Sequence, residues 1–474
     1  MKKYIAALAT GVTLVAGCKD SPIVNPTNAP TSAQLTGALT RPGLQTLVTG
    51  ILAQDRVLYS GNGTAYPIIT AIYARDAYRI DASEPRYVSE TLGGNPDPGS
   101  FASGSGPFTN GYIAVRAENT TLAAISSAPG GVLTAAETSV ALGFVQTFKA
   151  LSYYREIELR DTIGVPLQGV DPNAGPGPII CKENALNYVA ALLDSANTNL
   201  TSAASGTKTF PFSLPSGLTS FGRNYGQVSN FILFNRGLKG KVDVYRGLDH
   251  AKPNAAAFTA AIAELSQALG TAVPGAVPGS QFQNGPYHVF VPSGNEATAN
   301  GEADPKVGLN PQVKDSIKPG DTRISKIVAR STLAGQGLST STTFVGAVST
   351  NSANLARPIG ILRDEELVLL RAQAYIGAGQ IANAVADINS VRTFYGAPLS
   401  TATTASQAIT DVLYDKRYSL LFEGPQRLVD LRAYGRLNST FFKAEVTGDP
   451  FNSAFPIPKA EADARGGNIA ATCS

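Results

Sequence analysis

The thiol of Cys18 is the first group in the chain placed to do chemistry. Residues 1–18 read MKKYIAALATGVTLVAGC. Lys2 and Lys3 form a short positive n-region, and Tyr4–Val15 is an apolar stretch of signal-peptide length, too short to span a bilayer. Val15-Ala16-Gly17-Cys18 has the pattern of a bacterial lipobox. Small residues before the cut let a peptidase grip the backbone, and the cysteine thiol is the nucleophile that accepts lipid. Two or more acyl chains on Cys18 would anchor the chain stably without a transmembrane helix. Lys19-Asp20 resembles the surface-export signal of some Gram-negative lipoproteins, and Ser21–Ser32 reads as a flexible tether.

Other reactive side chains are sparse. With Cys18 acylated, Cys181 and Cys473 remain; in an oxidising compartment they either pair, pinning the C-terminus to the middle of the chain, or stay two separate thiols. His250 and His288 read as ordinary loop residues, and two isolated histidines with scattered cysteines do not make a four-ligand zinc site. Nucleophile-elbow, phosphate-loop and calcium-loop patterns are missing. Asp364, Glu365 and Glu366 sit at a predicted helix start, where the helix dipole favours negative charge, and read as capping rather than an acid–base pair. The residues therefore point to no catalysis, no metal and no cofactor.

Charge is present but balanced. Of 474 residues, 38 are Lys or Arg and 35 Asp or Glu, for a net charge of +3. Lys2 and Lys3 account for part of that excess, so the mature chain is near neutral and carries no electrostatic footprint for nucleic acid. Toward the C-terminus, Arg417, Glu423, Arg427, Asp430 and Arg432 intersperse both signs among Phe422, Leu428 and Leu431. Charges in so apolar a setting must be paired and hydrogen-bonded, and the planar fork of Arg suits a carboxylate, so these residues are expected to serve the fold.

The elements that would position such groups are mostly helices. Leu44, Leu47, Val48, Ile51 and Leu52 recur at helical spacing, as do Ile68, Ile69, Ile72 and Tyr73, then Ile113, Val115, Leu122 and Ile125. Thr134 and Glu137 form a capping box that opens a long helix with Leu142, Val145, Phe148, Leu151 and Tyr154 on one stripe. Leu186–Leu193 continues the pattern; Val228–Tyr245 pairs with Ala255–Leu269, and Leu367–Ile376 with Ile381–Val391. Tight turns between paired helices suggest tetratricopeptide-like hairpins, most clearly around Ala372–Ala384. Between them lie long Gly/Pro/Ser/Thr/Asn stretches: Asp81–Thr109, Asp161–Ile180, Ser202–Gln227, Thr271–Val307 and Ala334–Pro358. Tyr287–Val291 reads as a minor strand. The expected fold is thus mainly α: helical hairpins forming a scaffold with long irregular loops and a few minor strands. The expected organisation is a leader over 1–17, the lipidated Cys18 and tether over 18–32, and one helical domain over 33–474.

Five segments, in order, resemble the SusD/RagB family of outer-membrane nutrient-uptake lipoproteins. They are Gly111–Asn119; Phe148–Tyr154 running on to Ile163-Gly-Val-Pro166-Leu; Leu362–Glu366 running on to Asn389–Arg392; Arg417–Gly424 with Arg427–Arg432; and Phe455–Glu461. The C-terminal signature region spans about 360–474. Ser419, the extra Pro425 and the lack of Trp depart from the family pattern. The resemblance implies a lipid-anchored, outward-facing outer-membrane protein. It would capture a nutrient, an oligosaccharide or sometimes a peptide, and deliver it to a SusC-like TonB-dependent transporter as its lid.

A sugar's apolar face stacks on an aromatic ring while its hydroxyls need hydrogen-bond partners. With 18 Tyr, 19 Phe and no Trp, such a platform must use Tyr or Phe. Loop aromatics with polar neighbours are the candidates: Tyr87, Phe101, Phe221 with Arg223, Asn224 and Tyr225, and Phe282 with Asn284 and Tyr287. The rival readings are a helical-repeat envelope scaffold that binds only protein and a lipid-anchored glycan-processing enzyme.

Overall fold

A computed structural model of the chain describes residues 39–61, 64–168, 175–203, 205–249, 254–291, 299–348, 350–442, 444–445 and 448–472. The leader, Cys18, the tether, His250 and Cys473 lie outside the described residues.

The periodic segments form helices. Thr40 caps α1 (Arg41–Val57) by accepting a hydrogen bond from the Gly43 amide, and the helix buries Leu44, Val48 and Ile51. Helix α2 (Tyr66–Tyr73) is buried on every side, as its all-round hydrophobicity requires. After strand β1 (Ala77–Arg79) comes α3 (Ser105–Ser126), then α4 (Ala135–Arg160), whose capping box is the Thr134–Glu137 pair read from the sequence. Short strands β2 (Val165–Pro166) and β3 (Ile179–Ile180) lead to α5 (Lys182–Ala203), α6 (Val228–Gly247) and α7 (Ala255–Leu269). Next come β4 (Tyr287–His288), β5 (Val307–Leu309), β6 (Ile327–Gly335), β7 (Leu338–Phe344) and β8 (Ile359–Gly360). The chain then runs through α8 (Asp364–Gly377), α9 (Ile381–Tyr395), α10 (Ala405–Ser419) and α11 (Gln426–Ala433).

From α3 to α10 the helices pack in chain order, each on the next, with α1 against α3. Gly143 lets α4 and α5 approach closely: a Cβ there would stand 2.7 Å from Leu200 Cγ. Gly379, at φ +75°, makes the sharp α8–α9 turn. One apolar core runs through this array, and two smaller ones lie at its side, beneath β1, β5 and the β6–β7 hairpin and around Tyr59, Phe290 and Phe455.

The structure corrects three readings. The stretch 334–358 is not all loop: it holds most of an antiparallel hairpin, with Gln336 (φ +56°) and Gly337 (φ +79°) as its two-residue turn. Positive φ at both turn positions matches the right-handed twist of the flanking strands. Of Tyr287–Val291, Tyr287–His288 forms the strand, pairing with β8. His288 is therefore not a loop residue but a buried strand residue, with Nε2 2.9 Å from Asp55 Oδ2. Asp364, Glu365 and Glu366 do open α8, yet they are buried and ion-paired with Arg223, Arg363 and Lys241 respectively.

Candidate ligand-binding cleft

Residues 205–227 and 271–291 meet at β4 and bring part of the aromatic set together. Phe221 stacks on Tyr287, ring centroids 4.2 Å apart and planes at 24°. Gly222, at φ +77°, makes the approach possible, because a Cβ there would collide with the Asn284 amide. The backbone is tied on both sides: the Gly285 amide donates to the Phe221 carbonyl at 3.2 Å and the Asp364 amide to the Asn284 carbonyl at 2.9 Å. Arg223 donates to Asp364 Oδ1 at 2.6 Å, anchoring the loop to the first turn of α8. Asn224 accepts from the Gly226 amide in a local turn, and Tyr225 is buried against Phe234.

Beside the stacked pair lies a cavity of about 290 Å³ lined by Phe221, Tyr287, Gln283, Glu302, Arg357 and Glu423 among others. Its polar groups fall into two sets. Arg363 holds Glu423 with both prongs of its fork, Nε to Oε2 at 2.7 Å and Nη2 to Oε1 at 2.8 Å, while its Nη1 donates to Glu365 at 2.8 Å. Glu302, 1 % exposed, has Arg357 Nη1 3.5 Å from its Oε2, and that oxygen accepts no hydrogen bond among the described residues. Burial pushes the Glu302 carboxyl up to about 8, against the weaker pull of Arg357, so near neutrality it carries a proton it can donate. Burial likewise raises the Tyr287 phenol, which stays neutral and donates to the Gln283 carbonyl at 2.8 Å. The cleft thus offers ring faces, a neutral carboxyl, a phenol and a paired guanidinium. That set suits holding a polyhydroxylated ligand; among the described residues it contains no nucleophile hydrogen-bonded to a base.

Tyr287 also lines a second cavity, of about 340 Å³, across β4, with His288, Arg56 and Thr49 among its walls. Behind it Asp55 bridges His288 and Arg155. Burial pulls the Asp55 carboxyl upward, and Arg155 and His288 together more than offset this, leaving it at about 2; burial holds His288 below its ordinary value.

The remaining aromatic candidates do not line the cleft. Tyr87 is buried beneath the Arg79 guanidinium, 4.0 Å from its ring centroid, and packs on Phe101. Phe282 is fully buried and meets Phe394 edge-on. Sequence reasoning missed Glu302 and Arg357, which sit in Gly/Asn-rich and Ser/Asn-rich stretches with no motif around them. Gln283 was flanked by Phe282 and Asn284 and could have been included.

No protein-family model and no curated protein sequence matches the chain. Solved structures do. A SusD superfamily protein from Parabacteroides distasonis aligns over 90% of this chain and 98% of its own, at TM-score 0.67 and 12% identity. The chain has the SusD fold. A laminarin-binding SusD-like protein aligns over 90% of this chain and 98% of its own, at TM-score 0.63 and 17% identity. A crystal structure with xylogluco-oligosaccharide aligns over 91% and 96%, at 0.60 and 13%.

Within this SusD fold the C-terminal charged residues reach back to distant parts of the chain. Arg417 donates from Nη2 to Asp76 Oδ1 at 2.6 Å, and Arg427 Nε lies 3.8 Å from the other oxygen of Asp76. Asp430 accepts from Lys416 at 2.9 Å, Tyr245 at 2.7 Å and Gln373 at 3.0 Å, all buried. Arg432 pairs with Asp161 at 3.3 Å and donates to the Ile157 carbonyl at the end of α4. Glu423 belongs to both sets, since it pairs with Arg363 and lines the cleft.

Proposed function

We propose that the chain is an exported lipoprotein that captures an oligosaccharide in the Phe221–Tyr287 cleft and hands it to a TonB-dependent outer-membrane transporter, over which it acts as a lid. In this reading residues 1–17 are removed, Cys18 carries the lipid, 18–32 is the tether and 33–474 is the capturing body facing outward. The protein binds its ligand without transforming it. The observation that carries the reading is the half-buried Phe221, backed by Tyr287, beside a cavity where Gln283, Glu302 and Arg357 supply hydrogen-bonding groups. Ring face plus convergent polar groups is the chemistry that distinguishes a sugar from a purely apolar ligand. The same fold occurs in a protein that binds laminarin and in a structure with xylogluco-oligosaccharide.

The direct test is a glycan array with peptides included, probed with the lipid-free mature protein, followed by calorimetry on the hits. Binding of an oligosaccharide that Phe221→Ala weakens supports the reading. Binding that survives both Phe221→Ala and Arg357→Ala moves the site elsewhere. Delivery is tested separately, by co-purification of the Cys18-anchored protein with an outer-membrane barrel.

A further inference from the structure

The cavity beside the C-terminal signature gathers more positive charge than its surroundings neutralise. The faces of α10 and α11 and the chain after α11 enclose about 170 Å³, lined by Arg417, Arg427, Arg436, Phe441 and Phe442 among others. Asp76 is the one carboxylate paired with these arginines among the described residues. Arg417 takes its Oδ1 with two hydrogen bonds, at 3.0 and 2.6 Å. Arg427 Nε is left 3.8 Å from Oδ2, beyond hydrogen-bond distance, and is buried with no acceptor among the described residues. Arg436 donates to a neutral group, the Thr410 hydroxyl at 3.1 Å, and lies 5.1 Å from the Phe441 ring centroid. The neighbouring carboxylates are engaged elsewhere: Asp430 by Lys416, and Asp411 by Arg392. Burial, with the Arg417 charge adding to it, pulls the Arg427 guanidinium down to about 10, so it remains charged at neutral pH.

A guanidinium with a buried, unfilled donor is costly, and its fork matches the oxygens of sulfate, phosphate or carboxylate. At roughly 30 Å³ per water, the cavity has room for about six waters or one such group. We propose that this cavity is a binding site for an oxyanion, held by Arg427 and Arg436 with Arg417 behind them. The anion is either a free inorganic ion or the acid group of a charged saccharide whose ring lies on Phe441, which is 52% exposed. This inference stands independently of the cleft at Tyr287.

Equilibrium dialysis of the mature protein with radiolabelled inorganic sulfate, in chloride buffers of constant ionic strength, tests it. The expected result is saturable binding at one site per chain, with affinity at least tenfold weaker in Arg436→Gln. Arg436 is half-buried and has no carboxylate partner among the described residues, so that variant keeps the fold even if Arg427→Gln does not. Displacement of the label by galactose 6-sulfate or galacturonate, but not galactose, identifies a saccharide acid as the ligand. Displacement by phosphate but by neither sugar identifies a free anion. No saturable sulfate binding, or equal binding by Arg436→Gln, overturns the proposal.

Discussion

Replacing Glu302 by Gln should flatten the dependence of stability on pH. The Glu302 carboxyl ordinarily titrates at 4.5 and in the folded chain at about 8. Between those values the folded protein holds a proton that the unfolded chain has released, so stability falls as pH rises. The contribution is fully present below pH 4.5 and is lost as pH climbs through about 8. At about 1.4 kcal/mol for each pH unit, the carboxyl alone removes up to about 5 kcal/mol across the window. Glu118 and Glu156 are likewise pushed up to about 8 by burial, so the wild-type slope has further contributors. The difference between wild type and Glu302→Gln isolates one group: about 1.4 kcal/mol per pH unit between pH 5 and 7.5. Urea unfolding at several pH values in that range measures both slopes. Parallel lines would refute the reasoning, because they would mean that Arg357, 3.5 Å away, keeps Glu302 ionised despite its burial.

Phe221→Ala should weaken oligosaccharide binding by about 2- to 12-fold, the worth of one stacked aromatic contact at ~0.5–1.5 kcal/mol, with an unchanged circular dichroism spectrum. Glu423→Ala strips the bidentate partner from buried Arg363, which retains Glu365. The expected loss is about 3 kcal/mol in denaturant unfolding, the low end for a broken buried pair; a loss under ~1 kcal/mol, as for an exposed pair, would contradict the assignment. The parallel backbone bridge between Ile180 and Thr472 joins the chain one residue before Cys181 to the chain one residue before Cys473 in sequence. Peptide mapping of exported protein without reductant should therefore recover a cross-linked Cys181–Cys473 peptide; full alkylation of both thiols would contradict that.

The helices were legible because their signals are local. The Thr134–Glu137 capping box and the apolar spacing of α1, α4 and α5 lie within a few turns of sequence. The β6–β7 hairpin was not, because the inward positions of β7 include Thr340 and Thr342, and a Ser/Thr-rich run disguises a period of two as loop composition. The partners of the buried charges were equally hidden. The apolar setting of the C-terminal charges signalled that they would be paired but not with what, and many of the buried pairs join residues far apart, Asp76 and Arg417 being 341 positions distant. Spacing cannot announce such a pair. The same holds for the cleft: its two loops stood out by length and composition, and Phe221 and Tyr287 by type. Glu302 and Arg357 join them only when β4 pairs with β8 and folds both segments onto the α8 entry.

The central claim is that the Phe221–Tyr287 cleft holds an oligosaccharide. Calorimetric titration of the mature protein with the strongest hit from a glycan array, run in parallel on wild type and Phe221→Ala, tests it most directly. The account predicts one binding event per chain in the wild type and a clear loss of affinity in the variant. An array with no saccharide hit, or identical titrations for the two proteins, would contradict it.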